Sequence, residues 1–117
     1  MGRLTTHVLD TANGLPAAGM HFKLYRIDGA KRTQLVAGTT NADGRFDRPL
    51  LEGEALTPGC YELVFASADY FRALGTELPE PPFLDRISLA FGIADAASHY
   101  HVPLLVSPWA YSTYRGS

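Results

Sequence analysis

Cysteine is almost absent: Cys60 is the one thiol in 117 residues, so no disulfide can close within the chain, and a reducing compartment suits it. Cys60 is expected as a small residue of the core. No apolar run approaches the roughly 20 residues that span a bilayer. No apolar signal segment precedes the strand that begins near Leu4, and a cytoplasmic protein with no membrane contact is expected. Charge of one sign is lacking too. Ten basic against twelve acidic residues give a formal net charge of −2, and the basic residues do not cluster, which excludes the electrostatic footprint of a nucleic-acid binder. Internal repeats and low-complexity tracts are missing. What remains is the 46% hydrophobic, 19% charged balance of a globular protein, and a length suited to one core, so residues 1–117 are read as a single domain.

Short alternating runs separated by turn signals recur along the chain, the pattern of an all-β sandwich. From Leu4 to Asp10, residues Leu4, Thr6 and Val8 share one face while Thr5, His7 and Leu9 share the other. Met20 to Arg26 and Gln34 to Thr40 flank Asp28-Gly29 and predict a hairpin. Asp43-Gly44 predicts a turn that aims Arg45, which opens a short strand through Asp47. Cys60 to Ala66 and Leu84 to Ile93 are further strands. Between them, Ser67 as N-cap predicts a short helix to Leu74 with Gly75 as its stop, followed by a proline-rich loop from Glu77 to Pro82.

Polar and apolar residues mix most densely from His99 to Ser117. As a strand, this stretch turns Tyr100, Val102, Leu104 and Val106 one way and His99, His101, Pro103 and Leu105 the other. The second face is too apolar to be simply solvated, which predicts cover by another subunit. Pro103 has no amide hydrogen and therefore requires an edge, a bulge, or a nitrogen turned from any ladder partner. After the Ser-Pro-Trp turn, Tyr111 to Arg115 reads as a second short strand.

Taken singly, the residues able to do chemistry are unremarkable in kind. His7 reads as a surface imidazole, His101 as a hydrogen-bonded interface histidine, Arg45 as a solvated cation, and Tyr114-Arg115-Gly116-Ser117 as a frayed end. A zinc site built on His99 and His101 with His7 or His21 is disfavoured, because no carboxylate or thiolate stands at ligand spacing. Cys60 has no histidine near it in sequence to make it a nucleophile.

Three separated motifs change the weight of these residues. Leu4-Thr5-Thr6-His7-Val8-Leu9-Asp10 with Gly14, Pro16 and Ala17, then Asn41-Ala42-Asp43-Gly44-Arg45, then His99 to Ser117, together resemble the transthyretin-like family in its hydrolase branch. The resemblance implies a two-sheet β-sandwich of about eight strands with one short helix, assembled as a homotetramer, a dimer of dimers. It implies hydrolysis of 5-hydroxyisourate, the first product of urate oxidation, with neither cofactor nor metal. It carries His7, Arg45 and His101 over as catalytic residues. It places His7 and Arg45 also on the substrate, together with Tyr114, Arg115, Gly116 and Ser117. These residue types suit the reaction. A neutral imidazole accepts a proton from water near pH 7, and a guanidinium holds the oxyanion that forms on a ring carbonyl. Either histidine could be the base. The competing expectation is a carrier of small hydrophobic molecules on the same fold, but the residue types at positions 7, 45 and 101 and the Tyr-Arg-Gly-Ser ending are those of the hydrolase branch.

Overall fold

Alternation along β1 (Arg3–Asp10) sets the two sides of the first sheet. Leu4, Thr6, Val8 and Asp10 turn inward and are at most 2% exposed, while Thr5, His7 and Leu9 lie half-buried on the outer face. The computed structural model describes residues 1–116, so Ser117 lies outside the described residues. After β2 (Leu15–Pro16) come the hairpin strands β3 (His21–Asp28) and β4 (Lys31–Thr39), joined through Gly29 at φ 60°. A two-residue strand β5 (Leu51–Glu52) and a single 3-10 turn lead into β6 (Gly59–Phe65). Helix α1 (Ser67–Ala73), β7 (Ile87–Ile93), β8 (Tyr100–Val106) and β9 (Tyr111–Thr113) complete the order.

The nine strands among the described residues form two sheets. One runs β2-β1-β8-β9 with β5 also against β1, and the other runs β4-β3-β6-β7 with every pair antiparallel. β1 and β8 pair in parallel from Leu4 with Tyr100 to Asp10 with Val106. The inward side chains of the two sheets meet in one core, with Leu4, Val8, Leu104 and Val106 from one side and Phe22, Leu24, Leu63, Phe65 and Ile87 from the other. Each such side chain contributes about 1.5–3 kcal/mol by leaving water. The expected all-β sandwich with one short helix is what the chain forms.

Several local expectations need correction. Cys60 is exposed rather than in the core: Tyr61, Leu63 and Phe65 occupy the inward positions of β6, and a period of two leaves Cys60 outside. No strand runs from Arg45 to Asp47. Arg45 makes one isolated bridge to His7, because its own N–H is given to Asn41 Oδ1 (3.1 Å) and its C=O accepts from Asn41 N–H (2.7 Å). Ser67 is not an N-cap. Ala66 holds that position without a side-chain bond, and the Asp85 carbonyl instead accepts from both Ala68 N–H (3.0 Å) and the Ser67 hydroxyl (3.2 Å). The helix does end at Gly75, whose φ of 86° lets the chain turn away after Leu74.

Helix α1 is tied to the first sheet through a buried carboxylate. Asp10, 1% exposed, accepts from Ala12 and Asn13 N–H, from Asn13 Nδ2, and from the Tyr70 hydroxyl at 2.8 Å. Burial, the hydrogen bond to Asp10 and the carboxylate's charge together raise the Tyr70 pKa far above its ordinary value, so this donor stays protonated.

Candidate active site

His7 stands mid-way along β1 on the outer face, and Arg45 bridges to it from the loop that follows β4. That loop is closed by Asn41, whose side-chain oxygen accepts from Asp43 N–H (2.9 Å) and Arg45 N–H (3.1 Å). Gly44 is required twice over: its φ is 75°, and a Cβ there would sit 2.3 Å from the Val8 carbonyl oxygen. The close approach lets Val8 N–H donate to Gly44 O at 2.7 Å, pressing the loop against β1. As a result, the Asp43 carbonyl lies 2.9 Å from His7 Nε2. A carbonyl only accepts, so Nε2 carries the proton and Nδ1 of the neutral ring keeps the lone pair.

His101 reaches the same face from the other edge of β1. In the parallel ladder it pairs with Thr5, two residues before His7, so Thr5, His7 and His101 point outward together. Thr5 Oγ1 lies 2.8 Å from His101 Nδ1. Burial, then the charge of Arg45, then His7 hold the His101 pKa below the usual imidazole value of 6.5, which keeps the ring neutral at pH 7. Remote segments thus place two imidazoles and a guanidinium on one outer face.

The carboxy-terminal residues divide between two sides of β8. Gly116 N–H donates to the His101 carbonyl at 2.7 Å, and a Cβ on Gly116 would stand 2.8 Å from His101 Cδ2. Only glycine lets the tail lie this close to the ring. Arg115 goes elsewhere: its guanidinium lies 4.3 Å above the Tyr100 ring centroid and donates to the His99 carbonyl at 3.2 Å. Tyr114 is 61% exposed and borders a cleft of about 400 Å³ between β7 and the tail. His99 is exposed at the foot of β8.

Beside Thr5 and Arg45 opens a cleft of about 230 Å³ whose walls include Arg3, Asp47 and Arg48. Thr5, Arg3 and Arg48 were not singled out from the sequence. Thr5 carries the one usable signal, its place on the His7 face at i−2. A wider cleft of about 550 Å³ lies over the outer face of β3 and β6 and includes none of His7, Arg45 or His101. Among the described residues, no group of three His, Cys, Asp or Glu side chains is placed to hold a metal ion.

A two-sheet sandwich with this constellation defines a class, and the chain belongs to the HIUase/Transthyretin family, which it matches over residues 4–116. Within that family, the 5-hydroxyisourate hydrolase of Mesorhizobium japonicum is 63% identical over 116 residues, which cover 99% of this chain and 93% of the relative. The solved structure of Klebsiella pneumoniae 5-hydroxyisourate hydrolase superposes with a TM-score of 0.82 at 34% identity over all of both chains. Sea bream transthyretin in complex with thyroxine superposes with a TM-score of 0.87 at 26% identity, over 97% of this chain and 94% of that one.

Proposed function

We propose that this chain hydrolyses 5-hydroxyisourate to 2-oxo-4-hydroxy-4-carboxy-5-ureidoimidazoline in urate breakdown, by water activation without a metal. The observation that carries the reading is 63% identity, over nearly the whole chain, to a 5-hydroxyisourate hydrolase. Fold does not separate hydrolase from carrier, since the thyroxine-binding transthyretin superposes as well as the Klebsiella enzyme. Residue identity separates them, and it lies with the hydrolases.

In this reading a neutral imidazole, His101 or His7, takes a proton from water as its oxygen bonds to a ring carbonyl carbon. Arg45 orients the ring and holds the oxyanion. The ring C–N bond then breaks, the imidazolium returns its proton to the leaving nitrogen, and a carboxyl group remains. Gly116 brings the tail against His101, and Tyr114 meets the substrate from the carboxy-terminal side, while Arg115, stacked on Tyr100, lies off the imidazole face. The assembly is a homotetramer, a dimer of dimers, in which outer faces bearing His7, Leu9, His101 and Leu105 meet and exclude water. The protein works in the cytoplasm.

Freshly generated 5-hydroxyisourate, followed by its ultraviolet absorbance, tests this. His101→Asn is expected to lower kcat by about 10²–10⁴ and Arg45→Ala by about 10²–10³. Because the His101 pKa is lowered, kcat/KM should hold as pH falls through 6.5 and decline only below it. Wild-type turnover in either variant removes that residue from the mechanism.

A further inference from the structure

We propose that Thr5 is a positioning residue for His101: its side-chain oxygen accepts the Nδ1 proton, so that the ring presents the lone pair of Nε2 to the site. The inference rests on the reading of His101 as a group of the hydrolytic site, and it adds a residue and a protonation state to that reading.

The geometry leaves the ring little freedom. Thr5 and His101 are paired residues of a seven-pair parallel ladder, and their side chains meet at 2.8 Å. A β-branched side chain on a paired strand has few χ1 choices, so the hydroxyl's place is set by the backbone. On the other side of the imidazole, Gly116 stands so close that any added carbon would reach Cδ2 at 2.8 Å. Thr5 and Gly116 therefore grip the ring from two directions. The neighbouring threonine does different work: Thr6, 2% exposed, turns inward and gives its hydroxyl to the Val102 carbonyl at 2.8 Å.

A threonine hydroxyl can meet Nδ1 in two ways. If it donates, the proton of the neutral ring sits on Nε2, and the ring cannot take one from water there. If it accepts, Nε2 is a free base. Arg45 bridges to His7 and shares a cleft with Thr5, the partner of His101, and a positive charge on that side of the ring favours a lone pair turned toward it over an N–H dipole. The accepting arrangement also leaves the Thr5 proton free to turn toward a bound oxygen.

Long-range proton–nitrogen correlation spectra of protein labelled with ¹⁵N-histidine read the tautomer of each ring directly. At neutral pH the wild type is expected to show His101 protonated on Nδ1. Thr5→Val, which keeps the shape and removes the acceptor, should move the proton toward Nε2 and lower kcat about tenfold or more with KM little changed. Thr5→Ser should restore both. A wild-type ring protonated on Nε2, a tautomer unmoved in Thr5→Val, or a Thr5→Val turnover equal to wild type would each overturn the proposal. The spectra need no substrate, so they judge Thr5 even if the chain proves inactive on 5-hydroxyisourate, a result that would instead remove the hydrolase reading.

Discussion

Gly116 shows how a single missing side chain can govern where an imidazole sits. Its Cα packs beside the His101 ring, and the ideal Cβ position lies 2.8 Å from Cδ2 and 3.1 Å from Cβ of the histidine. Gly116→Ala should push the imidazole off its bond with Thr5, and displacement of a catalytic group by a fraction of an ångström lowers kcat/KM by roughly tenfold or more. Steady-state rates beside unfolding curves check this: a fall in rate with unchanged stability is the expected result. At this scale the motifs already held His7, Arg45, His101 and Gly116. They did not show that Arg115 stacks on Tyr100, because the side of a strand to which a tail residue points depends on its register with β8. Nor did they reveal Thr5, whose importance arises from a partner 96 positions away.

Among the elements, β8 resolves the apparent conflict of a proline within a strand. His101 turns its carbonyl to Gly116, so Pro103, two residues on, turns its nitrogen to the same edge. On that edge the β9 ladder begins only at Leu104 with Thr113, and Pro103 falls between ladder and bridge. Helix α1 depends on a side chain rather than on its cap. Tyr70→Phe deletes the hydroxyl that reaches Asp10, and loss of a buried bond to a charged group costs about 1–3 kcal/mol. A lowered urea midpoint is expected, and an unchanged one would mean that the helix is held by its apolar contacts alone. The long strands were legible from alternation and turn residues, whereas the strand expected from Arg45 to Asp47 does not form and the two-residue strands β2 and β5 gave no such signal. The helix cap was not, because Asp85, which supplies it, is 18 residues from Ser67.

For the whole molecule, several large apolar side chains stand exposed. Leu15, Phe83 and Trp109 are 52%, 68% and 60% exposed, and Phe83 stacks on Trp109 at 5.9 Å. The proposed homotetramer would cover such surface, and a site shared between subunits must lose activity as they part. Sedimentation at a series of dilutions, with 5-hydroxyisourate turnover measured in parallel, should show specific activity falling with the tetramer. Full activity in a monomer would sink the shared site. By itself the sequence determined the strand pattern, the two faces of each strand, the turn that carries Arg45 and the family, since these follow from local backbone preferences, side-chain period and residue identity. Only the tertiary structure decided that Thr5 meets His101 and that Arg115 leaves the imidazole face. Those outcomes depend on which strands become neighbours and in what register, a choice made by burying one shared core.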